Sequence, residues 1–170
     1  RSLAFDADLA RGLRTLSRDR GTTLYMTLAA AFQALLHRYS GQDDLAVGTP
    51  IAGRGQLQTE GLIGFFVNML VLRTSLAGDP PFAELLARVR GATLEAYAHA
   101  SLPFERLVDE LQPERSLART PLFQVVFQLQ NAPLEASDLP GLRLAPLEQE
   151  VDTAMFDLRL VALEAAGGLG

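Results

Sequence analysis

The chain has 170 residues and 48% hydrophobic content, enough to close one sizeable core and too apolar for a disordered segment. A formal net charge of −5 disfavours nucleic acid and anionic membrane surfaces as partners, because both call for a basic footprint. Cysteine is absent, which removes disulfides, thiolate metal sites and cysteine nucleophiles together while leaving the redox compartment open.

The first helix is expected to start after Asp6, a good N-cap, with Leu9, Leu13 and Leu16 on one face and a stop near Gly21. Thr22 or Thr23 caps a second helix that carries Leu24, Leu28, Phe32, Leu35 and Tyr39 at helical spacing and ends at Gly41. Alanines 29 to 31 suit close packing against a neighbour. A short strand follows, Asp44 to Thr49, and Pro50 with Ala52 to Gly55 reads as a loop. Val67 to Leu76 reads as a strand, and its consecutive apolar positions predict burial on both faces.

Pro80 and Pro81 open a long helix through Phe82, Leu85, Leu86, Val89 and Tyr97. Pro103 stands near the first turn of a shorter helix, where a missing N–H costs little, and Pro113 ends it. From Phe123 the period changes to that of a strand, with Phe123, Val125, Phe127 and Leu129 on one side. Two more strands are predicted, Leu142 to Glu150 and Ala154 to Leu163. The order ααβ, β, αα, βββ predicts an α/β fold, a mixed β-sheet with helices packed on at least one face.

All 15 basic residues are Arg, which reads as coding bias in a GC-rich genome. The start, RSLAFDADLARG, shows no secretory signal. The longest nearly apolar run, Gly61 to Leu72, contains Asn68 and is too short to span a bilayer, so a cytoplasmic location and no membrane partner are expected. The two histidines, His37 and His99, lie toward helix C-termini, where an imidazolium is mildly favoured. No local pattern of a metalloprotease, serine hydrolase or NTPase is present, and no metal site is expected. Asn68 interrupts an otherwise core-like run; a buried amide left unpaired costs about 1–3 kcal/mol. Two readings of it stand open. It ties down a loop-to-strand corner, or it faces a cavity and hydrogen-bonds a substrate.

The run Ile63 to Arg73, IGFFVNMLVLR, resembles the nonribosomal peptide synthetase condensation-domain motif written IGxFVNTLxLR, with Met69 where Thr is usual. His99 to Glu105, HASLPFE, resembles HQDLPFE, and Arg115 to Leu122, RSLARTPL, resembles RDxSRNPL. Asp44 to Arg54 resembles DIVVGTPIAGR, and Phe156-Asp157-Leu158 the FDL segment. Several polar positions depart from the patterns: Ala100, Ser101, Ser116, Ala118 and Thr120. The residues kept, Gly64, Arg73, Pro103, Phe104, Glu105, Arg115, Arg119 and Pro121, are expected to be mainly structural, with Glu105 and Arg119 as ion-pair or loop-fixing partners.

The resemblance implies the C-terminal lobe of a condensation domain, one lobe of the chloramphenicol acetyltransferase-like fold, truncated at both ends and with no second domain. The family forms peptide bonds between carrier-bound aminoacyl and peptidyl thioesters in a channel between two lobes. Its HHxxxDG motif sits in the N-terminal lobe and does not occur in these 170 residues, so no catalytic residue is expected here and the chain alone is expected to be inactive. Asn68 and Arg54 are the channel-facing candidates. Implied partners are the N-terminal lobe, donor and acceptor peptidyl carrier proteins and an adjacent adenylation domain. The 4'-phosphopantetheine arm is implied on the carriers and not bound directly. Without its companion lobe the chain is expected to expose apolar surface and self-associate. The alternatives are a carrier-docking or recruiting module without chemistry, or an epimerization-domain lobe.

Overall fold

The computed structural model describes residues 3–52, 62–113, 119–130, 154–165 and 168–170. The first two helices begin where their caps dictate. Asp6 accepts from the Leu9 N–H at 2.8 Å and starts α1 (Ala7–Asp19); Thr23 accepts from the Met26 N–H at 3.2 Å and starts α2 (Leu24–Ser40). Each oxygen satisfies an N–H that helix geometry leaves without a partner. Gly41 closes α2 at φ 68°, a left-handed conformation that glycine adopts without a Cβ penalty.

Next come β1 (Asp44–Ala52), β2 (Val67–Ser75), α3 (Phe82–Ala98), α4 (Phe104–Leu111), β3 (Val125–Gln130), β4 (Leu158–Ala165) and β5 (Gly168–Leu169). The sheet order is β2-β1-β3-β4-β5. β1 pairs antiparallel with β2 and parallel with β3; β3 pairs parallel with β4, and β4 antiparallel with β5. This is the mixed α/β sheet that the element order predicts.

One face of the sheet carries the core. Leu45 and Val47 from β1 and Phe127 from β3 pack against Met26, Ala29, Ala30 and Phe32 of α2 and Leu85, Leu86 and Val89 of α3. The Phe127 ring centroid lies 5.4 Å from that of Tyr25 and 5.7 Å from that of Phe32. Full burial of such side chains stabilises by roughly 1.5–3 kcal/mol each. Of the three alanines, Ala29 and Ala30 are buried in this contact, whereas Ala31 faces solvent. Side chains alternate along a strand, so Gly48, Pro50, Met69 and Val126 belong to the opposite face.

The fold departs from the sequence expectation in several places. Pro50 is not in a loop: it lies within β1, opposite Met69. Pairing of β1 with β3 is confined to Val47 and Gly48, so at position 50 the strand has β2 as its neighbour and the missing N–H is tolerated as at a sheet edge. β2 is not buried on both faces. It is an edge strand in which Leu70, Leu72 and Thr74 are buried and the residues between them are half-buried or exposed. The strand expected from Phe123 starts at Val125, and that expected from Ala154 starts at Leu158. The strand expected at 142–150 lies outside the described residues.

Candidate functional site

Segments far apart in sequence meet on the sheet face turned away from α2 and α3. They enclose an open cleft of about 320 Å³. Pro50, Met69, Val126 and Arg159 form its floor, one residue from each of β1 to β4. Val67, Phe65 and Asn68 stand on one side, Phe104 and Glu105 at the start of α4 on another, and Met155 and Phe156 just before β4 complete it.

Aromatic packing sets the cleft's shape. The Phe123 ring centroid lies 5.5 Å from that of Phe104 and 5.8 Å from that of Phe156. Phe123 is 1% exposed and its ring rests against Gly48, where an added Cβ would overlap it. Pro121 and Thr120 hold this corner. The Pro121 carbonyl accepts from the Phe123 N–H at 2.9 Å around Leu122 at φ 68°, and the Thr120 hydroxyl donates to the Met155 carbonyl at 3.3 Å.

Asn68 joins two of the motifs directly. Its Nδ2 donates to the Ala100 carbonyl at 3.1 Å and to the Leu102 carbonyl at 2.8 Å. Its Oδ1 accepts from the Phe104 N–H at 3.0 Å and from the Met69 N–H at 2.9 Å. An Asn amide has two N–H donors and two acceptor lone pairs, and all four are engaged. The side chain borders the cleft while its amide ties down the corner, the first of the two readings open at the sequence level. No donor is left over for a substrate oxygen.

Among the described residues the cleft's charged lining residues are Glu105 and Arg159. Glu105 sits in the first turn of α4, where the helix dipole favours an anion. Arg159 donates to Gln128 Oε1 at 3.0 Å. Among the described residues no ion pair joins Glu105 to Arg119, which is exposed. Arg73 pairs instead with Asp44, donating from Nη2 to Oδ2 at 2.6 Å and from Nε to Oδ1 at 3.0 Å. The Arg73 hydrogen bonds hold the Asp44 carboxyl below its usual range. Gly64 lets the Phe66 ring close in, since a Cβ there would stand 3.0 Å from it. Pro103 occupies the N-cap position of α4. Arg54 and Arg115 lie outside the described residues.

His37 lies in the last turn of α2 and His99 at the C-cap of α3, and neither lines the cleft. Among the described residues no group of His, Asp and Glu could hold a metal ion, and no helix is long and apolar enough to cross a membrane. Sequence reasoning missed Arg159 and Gly48 as parts of the site. The signal for Arg159 was available: strand alternation sends it to the face opposite Leu158 and Leu160.

The family model described as Condensation domain matches residues 1–170. One of the polypeptides of the linear gramicidin synthase of Brevibacillus parabrevis is 61% identical over 170 residues, covering 99% of this chain and 3% of that protein. The X-domain from teicoplanin biosynthesis, solved in complex with OxyB, superposes with a TM-score of 0.87 at 31% identity, covering 98% of this chain and 37% of that one. A holo four-domain nonribosomal peptide synthetase bound to AMP and glycine has a TM-score of 0.85 over 98% of this chain and 14% of its own; at 23% identity that likeness speaks for the fold alone. The chain spans a small part of the length of the relatives it matches.

Proposed function

Because the chain belongs to the condensation-domain family, we propose that it is the C-terminal lobe of such a domain in a nonribosomal peptide synthetase and supplies one wall of its reaction channel. The observation that carries this reading is the cleft. The segments of residues 44–54, 61–73, 99–105 and 156–158, which resemble family motifs, all contribute lining residues to it.

In this reading the amine of an acceptor residue attacks the carbonyl carbon of a donor thioester. The C–N bond forms, the C–S bond breaks, and the sulfur leaves as a thiol with a proton that came from the amine. Both reactants arrive on the phosphopantetheine arms of carrier proteins, so the arm is part of the substrate. A thioester is already activated, and alignment of the two reactants supplies much of the barrier reduction. The lobe's contribution is positional. The apolar lining residues Phe65, Val67, Met69 and Phe156 exclude water from one side of the reactants. Asn68, and Arg54 on the segment after β1, are the channel-side residues of this proposal, and the histidine motif belongs to the other lobe.

The test offers this chain loaded donor and acceptor carrier proteins, with and without a separately expressed N-terminal lobe. The expected result is dipeptidyl thioester only when that lobe is supplied. Turnover by the 170-residue chain alone would sink the assignment. A second reading, a recruiting module without chemistry, draws on the likeness to the X-domain solved in complex with OxyB. It requires that carriers still bind the two-lobe protein while no peptide bond forms.

A further inference from the structure

The start of α4 poses a problem that its own sequence does not solve. A helix leaves its first N–H groups without intrahelical partners, and a Ser, Thr, Asp or Asn at the N-cap ordinarily accepts from one of them. Here the N-cap is Pro103, which makes no side-chain cap hydrogen bond. The Phe104 N–H, the first of the helix, is satisfied from a distant strand by Asn68 Oδ1 at 3.0 Å. The same amide holds the two carbonyls that lead into the helix, Ala100 at 3.1 Å and Leu102 at 2.8 Å. The orientation of the amide is fixed by its partners: a flip would set Nδ2 against two N–H groups and Oδ1 against two carbonyls.

We infer that Asn68 is the positioning residue of the cleft, a tertiary cap that pins the α3–α4 junction to β2 and so sets where Phe104 and Glu105 stand opposite Val67 and Met69. It works through the main chain and not by touching substrate. Phe104 in turn leans on Phe123, with ring centroids 5.5 Å apart, so movement of the α4 terminus is passed to the aromatic corner that shapes the cleft. The clamp explains why a polar residue interrupts the apolar run of β2. The effect on turnover rests on the channel reading above; the clamp itself does not.

The experiment uses the full protein that carries this domain, with Asn68→Asp and Asn68→Ala compared by amide hydrogen exchange, thermal stability and condensation kinetics at several pH values. The Asp variant keeps the acceptor for Phe104 and Met69 but sets a carboxylate against two carbonyl oxygens; protonation returns one donor. Expected are faster exchange at Phe104 and across residues 99–107 in both variants at neutral pH, and recovery on acidification in Asn68→Asp alone. Turnover should fall with the same pH pattern, by up to about 100-fold, the scale of a misplacement of about 1 Å. Should the Ala variant fail to fold, the pH dependence of the Asp variant carries the test. Unchanged exchange at Phe104 overturns the clamp. Faster exchange with unaltered turnover overturns the positioning role. Lost turnover with unaltered exchange means that Asn68 touches substrate directly, which also overturns it. A parent protein that forms no peptide bond sinks the channel reading, and the exchange pattern then decides the clamp by itself.

Discussion

At Gly48 the backbone of β1 passes directly beneath the Phe123 ring, and there is no room for a Cβ. The requirement is spatial and not conformational, because Gly48 is not among the residues with positive φ. Phe123 cannot yield easily. It is 1% exposed and held by the rings of Phe104 and Phe156. Overpacking of a filled site of this kind typically costs about 1–3 kcal/mol. Gly48→Ala is therefore expected to lower stability by about that amount in chemical denaturation. Adding Phe123→Leu should recover part of the loss, because neighbours that share one space do not act additively. Additive losses in the double-variant cycle would mean that the ring does not bear on Gly48. The sequence marks Gly48 only as one glycine of the VGTP segment; the ring that demands it arrives from the segment just before β3, which is distant in the chain.

At the scale of elements, what the sequence made legible follows from how local each cause is. Asp6, Thr23 and Gly41 act on residues within a turn of themselves, so the first two helices and their ends could be read from the chain. Pro50 misled because proline is excluded only where a neighbouring strand needs its N–H, and the extent of pairing between β1 and β3 decides that. The apolar run of β2 gave the strand but not its partners, and the saturation of Asn68 depends on carbonyls more than thirty residues away. The pairing of Arg73 with Asp44 is a similar case: the register of β1 and β2 brings together two charges that no sequence pattern links. It also makes a prediction about the β1–β2 pair. The Asp44 carboxyl is held below its ordinary value of 3.8, first by the hydrogen bonds from Arg73 and further by its charge. A carboxyl with a lower pKa in the folded state adds stability above its unfolded value, and that contribution disappears as the pH falls through the folded value. Asp44→Asn should thus be less stable than the parent at neutral pH, with a gap that closes on acidification below 3.8. Both groups are solvent-exposed, so added salt should narrow the gap as well. Denaturation curves at pH 7 and in acid check this; a gap that stays constant with pH would assign the loss to something other than the charge.

For the whole molecule, the distribution of apolar surface sets the expected behaviour in solution. The helix-bearing face of the sheet is closed around Phe127 and Val89, which are 1% and 0% exposed. In the cleft lining the situation is the reverse: Phe65 is 90% exposed and Met155 84%, and Ile63, two residues before Phe65 in the chain, is fully exposed. Soluble monomers seldom show large aromatic and aliphatic side chains gathered at one place, and such patches mark surfaces that another molecule covers. In the channel reading that cover is the companion lobe. Offered no companion, the chain has a second copy of itself as the nearest apolar surface, and a net charge of −5 is a weak deterrent once salt screens it. The isolated chain is accordingly expected to self-associate reversibly, with a weight-average mass in sedimentation velocity that rises with concentration and with salt. Ile63→Ser together with Phe65→Ser should shift it toward monomer without loss of thermal stability, since neither side chain is buried. Addition of the N-terminal lobe should have the same effect by competing for the surface. A chain that stays monomeric at every concentration would mean that the exposed residues fold back over the cleft in solution, and the cleft would then not be the open wall that the proposed function requires.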